Sequence, residues 1–212
     1  MYTPPAFRLE DQAEIHAAMA QSRLATLVTP TAQGLQATPL PLFLDPAEGA
    51  HGTLYGHLAR ANPHWSIPAT GESLVLFQGP YAYVSPSWYP SKAEHHKVVP
   101  TWNYQAIHAH GHAEFFQEPE RLLAVVTRLT NLHEGEMPTP RAAPPWAVSD
   151  APPDFIAAQL RGIVGLRIPL SRIEAKRKMS QNRPAPDRAA VAAALAASPR
   201  PSDNAAAALI PS

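Results

Sequence analysis

"TWNYQAIHAHGHAEFF", residues 101–116, alternates in character at every second position. Ile107, Ala109, Gly111, Ala113 and Phe115 fall on one face of an extended chain. Trp102, Tyr104, His108, His110 and His112 fall on the other. A strand this long with a small-residue inner face suits a tightly curved barrel wall, and Gly111 admits a close backbone neighbour.

Short runs of strand type precede it: residues 24–29, 38–44, 52–58, 73–79 and 81–86, punctuated by Gly34, Asp45-Pro46 and Gly71. This spacing points to a barrel or sandwich rather than to alternating βαβ units. Residues 11–22 read as a short helix. Residues 118–134 read as a longer one, with Pro119 at its start and positions 122, 123, 126, 129 and 132 as its apolar stripe. Residues 135–153 form a proline-rich loop around Trp146. A brief helix over 154–162 and a strand over 163–170 follow, and residues 171–180 continue the strand or extend it briefly. Residues 184–198 hold an alanine-rich helix, and the last dozen residues read as weakly ordered. The fold class expected is mainly β (α+β), with peripheral helices. Residues 1–183 form the main domain and 184–212 a C-terminal helix and tail.

Composition narrows the function. The 212 residues carry 17 basic and 17 acidic side chains, so no net field draws the chain to nucleic acid or to a membrane. The absence of cysteine excludes disulfides, thiolate metal sites, iron–sulfur clusters and a cysteine nucleophile. The start, "MYTPPAFRLEDQ", lacks the basic flank and apolar run of a signal peptide, and no apolar stretch is long enough to cross a bilayer. A soluble, cytoplasmic protein is the expectation.

Four segments hold candidate chemistry. Residues 81–104 gather Tyr81, Tyr83, Tyr89, Tyr104, Trp88 and Trp102 among Pro80, Pro86, Pro90 and Pro100 in a chain only 8% aromatic. Such rings are either core or the stiffened rim of a slot for a flat conjugated ligand, with Ser85, Thr101 and Asn103 to bond its edge. "HLARANPHW", residues 57–65, leaves a strand with His57, Arg60 and Asn62. It is either a phosphate-holding loop or a solvated turn N-capped by Asn62. "HAHGH", residues 108–112, aligns imidazoles on one face. A stable zinc site needs three or four converging ligands, and three consecutive same-face positions span too far, so no metal site is expected. In "EAKRKMSQNR", residues 174–183, Arg172, Glu174, Lys176 and Lys178 share a strand face, which is either solvated or anion-binding. Nucleophile elbow, Walker loop and GxGxxG are all missing.

In order along the chain, "MYTPPAF", "GHLARANPHW", "FQGPYAYVSPSWYPSK", "VVPTWNYQAIHAHG", "LTNLHE", "LRGIVGLRIPLSRIEAKRKMSQNR" and "DRAAVAAAL" together resemble the PaiB family, the FMN-binding negative transcriptional regulators. The likeness covers about residues 1–198. It departs at Ala175, where the family is expected to carry glycine, and at the additional His110 and His112. The resemblance implies a six-stranded antiparallel split β-barrel that works as a homodimer, with FMN as cofactor at the dimer interface. It further implies that His57, Arg60 and Asn62 grip the phosphate and that Thr38 and Leu40 lie on a strand facing the ring. Ser85, Trp88, Tyr89 and Lys92, with Thr101, Trp102, Asn103 and Tyr104, would belong to the aromatic motifs. Lys178, Ser180, Gln181 and Asn182 would reach the site from the partner chain. DNA is the partner the family name suggests, although zero net charge and the lack of a helix-turn-helix pattern argue against tight duplex binding. A flavin-dependent oxidoreductase, with His57, Tyr89 and His108 as candidate acid–base groups, and a haem-handling barrel are the alternatives.

Overall fold

A computed structural model describes residues 1–137 and 144–212; the central part of the proline-rich loop expected over 135–153 lies outside the described residues. The chain runs β1 (Arg8–Leu9), α1 (Gln12–Gln21), β2 (Leu24–Thr31), β3 (Gly34–Asp45), β4 (Thr53–Ala59), β5 (Ser73–Val84), α2 (Lys92–His95), β6 (Thr101–Gly111) and β7 (Glu114–Phe116). There follow α3 (Pro119–Glu134), α4 (Pro153–Leu160), β8 (Ile163–Lys178), α5 (Ala185–Ala196) and α6 (Pro201–Ala207). The hydrogen-bonded strand order is β1-β8-β4-β3-β2-β5-β6, with β7 also on β8 and a further β8–β6 pairing. The β1–β8, β2–β3, β2–β5, β3–β4, β4–β8 and β7–β8 pairings are antiparallel, with Thr31↔Gly34 in the β2–β3 hairpin and Leu54↔Ile168 between β4 and β8. This is the circuit of a six-stranded antiparallel split β-barrel with peripheral helices.

Packing divides the chain into two compact units. One comprises Met1–Gln21, Gln78–His108 and Glu174–Ser212, and the other Ser22–Phe77 and Ala109–Ile173. Strands β5, β6 and β8 contribute to both. In the second unit, period-two alternation buries Ala25, Leu27 and Thr29 of β2. Leu42, Leu54, Val75, Leu166 and Ile168 are buried as well, and each stabilises the fold by about 1.5–3 kcal/mol through removal from water. Gly111 makes the close approach its position requires, since a Cβ there would lie 2.2 Å from the Pro169 carbonyl oxygen. Helix α3 starts with Pro119 in its first turn and covers Phe43 and Phe116. Its buried residues are Leu122, Val125 and Leu129, a stripe of i, i+3, i+7. Leu123 and Leu132, read from the sequence as core, are exposed.

In the first unit, α5 and α6 bury Val191, Leu195, Ala206 and Ala207 against Ala82, Val84, Tyr89 and Met179. Residues expected as a weakly ordered tail thus form a packed helix, anchored where the Asp203 carboxylate meets Arg200 and accepts a bond from the Ser198 hydroxyl. The runs read as two strands, 73–79 and 81–86, are one continuous β5, and 163–178 is one continuous β8. The strand read as reaching residue 116 stops at Gly111 and resumes at Glu114. The break shifts the alternation by one, so that Phe116 is buried in place of Phe115. Among the described residues, no helix is long and apolar enough to cross a membrane.

Candidate cofactor site

In the second unit, the loop leaving β4 is held by its own side chains. Asn62 caps the turn Pro63–Ser66 by accepting from the His64 amide at 3.0 Å, and its Nδ2 donates to Thr38 Oγ1 at 3.1 Å. Thr38 Oγ1 lies 2.9 Å from His64 Nδ1. Asn62 Nδ2, Thr38 Oγ1 and His64 Nδ1 thus form one chain of hydrogen bonds, whose direction at Nδ1 is set by the His64 tautomer. His64 is 2% exposed, and among the described residues its Nε2 has no hydrogen-bond partner. His57 Nδ1 is likewise buried and unpartnered. Burial holds both imidazoles below their ordinary value of 6.5.

Arg60 makes three internal bonds, from Nε to the Arg161 carbonyl (2.7 Å), from Nη1 to Gln117 Oε1 (2.5 Å) and from Nη2 to the Ile163 carbonyl (3.2 Å). Two of its five N–H donors are left for any anion. Leu40 is a core side chain at 2% exposure. Further along the same unit, His110 takes Arg172 Nη2 at 3.0 Å through Nδ1.

In the first unit, the aromatic cluster separates into two groups. Tyr89 is 3% exposed within the α5–α6 core, Trp88 packs beside it, and the Arg183 guanidinium sits 4.8 Å from the Tyr89 ring. Burial raises the Tyr89 phenol above its ordinary value. Tyr81 (48% exposed), Tyr83 and Trp102 (52% exposed) instead form a surface group. Trp102 stands edge-on to Tyr83 at 5.7 Å and lies 6.3 Å from Tyr81.

Beside Trp102, Lys178 Nζ donates to Thr101 Oγ1 at 2.7 Å and to the Trp102 carbonyl. Burial first, then the charges of Lys176 and Arg183, lowers the Lys178 pKa. One strand position on, Asn103 and Ser180 exchange buried bonds at 3.0 and 3.2 Å, and Ser180 adopts a left-handed φ of 61°. Gln181 braces that turn by accepting from the Met179 amide and donating to the Arg177 carbonyl. Ser85 caps the turn Pro86–Trp88, and Lys92 and Asn182 are exposed.

A cleft of about 620 Å³ opens among Tyr2, Phe7, Trp102, Tyr104, Lys176 and Lys178. The structure therefore brings Thr101, Trp102, Asn103, Tyr104, Lys178 and Ser180 together, and sends Tyr89 into the core with Trp88 partly buried against it. Two residues of this picture, His64 and Tyr2, were missed in the sequence, and for Lys176 only its burial was. His64 stands inside the quoted loop, two residues after its cap. Lys176, read as sharing one face with its neighbours, is buried. Tyr2 belongs to an arm without periodicity.

In the first unit, exposed indole and phenol faces with an ammonium and a hydroxyl at their edge suit a flat conjugated ligand with a polar rim; in the second, two buried imidazole nitrogens lack a hydrogen-bond partner among the described residues. The family model described as "Putative FMN-binding domain" matches residues 1–172. The chain is 37% identical over 185 residues to "Protease synthase and sporulation protein PAI 2" of Bacillus subtilis (strain 168), covering 86% of this chain and 83% of that one. Among solved structures, the flavocytochrome Anf3 from Azotobacter vinelandii shares the fold with a TM-score of 0.55 at 10% identity, over 81% of this chain and 69% of that one. The FAD and haem binding protein from Mycobacterium smegmatis does so with a TM-score of 0.53 at 11% identity, over 81% and 73%. FMN is the cofactor these matches point to. By family match and by sequence, the chain belongs to the FMN-binding domain family that includes PAI 2 of Bacillus subtilis.

Proposed function

We propose that the protein is an FMN-binding flavoprotein working as a homodimer, with the cofactor at the interface. The observation that carries this reading is the exposed group of Tyr81, Tyr83 and Trp102 with Thr101 and Lys178 at its edge. Prolines on both sides hold these rings in place before any ligand arrives, so little conformational freedom is lost on binding. Trp102 and the tyrosines would carry the ring system, and Thr101 and Lys178 would bond its polar edge. In the second unit, the family resemblance assigns a phosphate to His57, Arg60 and Asn62, and Arg60 keeps two donors for it. FMN supplies hydride or single-electron transfer when bound; the side chains orient it and keep water off its face.

The test is the visible spectrum of the purified protein, with quenching of added FMN fluorescence and molar mass by light scattering. A yellow dimer is expected. A colourless protein that leaves FMN fluorescence untouched would overturn the reading, and a Soret band would replace it with a haem barrel. The regulatory role rests on the family resemblance, and a gel shift on the protein's own promoter that weakens as salt rises would support it. No shift at low salt would remove direct repression. A second reading, a flavin-dependent oxidoreductase, is favoured by the buried neutral imidazoles of His57 and His64, each with an unpartnered nitrogen able to hold or move a proton. Bleaching of bound flavin by NAD(P)H is its expected signature, and a flavin that stays oxidised with every donor would end it.

A further inference from the structure

Helix α3 carries Arg121 and Arg128 seven residues apart, hence on one face and about 10.5 Å apart along the helix axis. Each guanidinium lies over a ring of the sheet. Arg121 Cζ is 4.1 Å from the Phe116 centroid, and Arg128 Cζ is 4.5 Å from that of Phe43, which stacks on Tyr55 at 5.5 Å. With Phe43, Tyr55, Phe116 and Val125, the two arginines line a cavity of about 290 Å³. All six residues belong to the second unit, and none is among those given above to the flavin.

The acids in the cavity wall are already engaged. Glu48 accepts from the Tyr55 hydroxyl at 2.6 Å and from Arg167 Nε and Nη2 at 3.0 and 2.5 Å. Asp45 accepts from Arg128 Nη1 at 2.8 Å and from the Ala47 amide at 3.2 Å. The arginines keep most of their donors. Arg128 uses one N–H, on Asp45, and Arg121 uses one, on Glu118 at 3.5 Å. Both bonds leave from Nη1, so among the described residues each guanidinium has its whole Nε–Nη2 edge idle. Such an edge offers two parallel donors that match the two oxygens of a carboxylate.

We propose that this cavity binds a small dicarboxylate whose acid groups are separated by a short apolar spacer. Each carboxylate would take two N–H bonds from one guanidinium, and the spacer would lie on Phe43, Phe116 and Val125. The ring contacts fix the guanidinium planes beforehand, so little side-chain freedom is lost on binding. A phosphate ester or a single carboxylate would fill one fork and leave the other empty. Binding of the dicarboxylate does not depend on FMN.

The experiment is isothermal titration of the purified full-length protein at low salt with three probes. Terephthalate carries its acids at opposite ends of a ring, 4-carbamoylbenzoate replaces one of them by an amide of the same shape, and phthalate holds both side by side. Terephthalate is expected to bind at least about tenfold more tightly than either of the others, and Arg121→Gln should erase that preference. Arg8→Gln, at an exposed arginine of the first unit, should leave it intact. Equal binding of the three probes, no heat from terephthalate, or a preference that survives Arg121→Gln would overturn the proposal. So would a preference lost equally in Arg8→Gln, which would reduce it to overall charge. Release of bound FMN by terephthalate would overturn it as well, because the cavity would then belong to the flavin's site. Arg121 is half exposed with one long ion pair, so its replacement should leave folding intact. Should Arg121→Gln nonetheless fail to fold, the comparison of terephthalate with phthalate on the unaltered protein decides.

Discussion

Arg60, in the loop after β4, and Lys178, at the end of β8, both sit where a strand delivers positive charge into irregular chain, and they use that charge differently. Arg60 turns back onto its own unit and binds two carbonyls and an amide oxygen. Its neighbours Asn62, His64 and Thr38 close a chain of hydrogen bonds around a neutral imidazole. Lys178 and Lys176 lie in a cleft with aromatic walls and only hydroxyl and carbonyl oxygens for partners. The difference teaches that a cation's position on a strand says little about its role. What counts is whether neighbouring acceptors satisfy it. The guanidinium has acted as a structural tie, and the ammonium groups remain open to a ligand.

Substitutions should separate the two roles. The largest effect is expected for Arg60→Ala, which leaves the Arg161 and Ile163 carbonyls short of a donor and lowers stability by about 2–3 kcal/mol in urea unfolding. A loss below about 0.5 kcal/mol would mean that Arg60 is not a tie, and the contrast with Lys178 would dissolve. Lys178→Met should move stability by less than about 1 kcal/mol, because the bonds it loses are offset by relief of repulsion with Lys176, while FMN affinity falls about tenfold.

Acidity gives a smaller and oppositely placed effect. His57 and His64 have folded-state pKa values below the ordinary 6.5, so the unfolded chain takes up protons first as the pH falls. Their contribution is complete above about pH 6.5 and is lost as pH drops from there through the folded values. The melting temperature should therefore decline on acidification below about pH 6.5, and less so in His64→Gln. A melting temperature that rises over that interval would contradict neutral, buried imidazoles. The smallest effect belongs to Tyr89→Phe. The hydroxyl it deletes has no hydrogen-bond partner among the described residues, so stability should change by less than about 1 kcal/mol.

The barrel was legible because its strands announce themselves by alternation. Residues 101–111 and 24–31 bury every second side chain, and Gly111 stands where a backbone carbonyl comes within van der Waals contact. The aromatic segment was legible as important but not in its division. Trp88 and Tyr89 differ from Trp102 and Tyr83 only in what α5 and α6 cover, and that contact joins residues about a hundred positions apart. The α6 helix was obscured by its composition, since small residues carry a weak apolar signal until a neighbouring helix packs on them. His64 and Lys176 were invisible as buried polar groups for the same reason. Burial of a polar side chain is fixed by partners remote in sequence, Thr38 in one case and Tyr2 in the other.

FMN titration of three proteins followed by flavin fluorescence bears most directly on the account: the unaltered chain, Trp102→Ala and Tyr89→Phe. If the exposed rings carry the cofactor, Trp102→Ala weakens FMN binding about tenfold, the worth of one stacked aromatic contact, and Tyr89→Phe leaves it unchanged. Full affinity in Trp102→Ala together with a loss in Tyr89→Phe would place the flavin against the core pair instead, and would contradict the central claim.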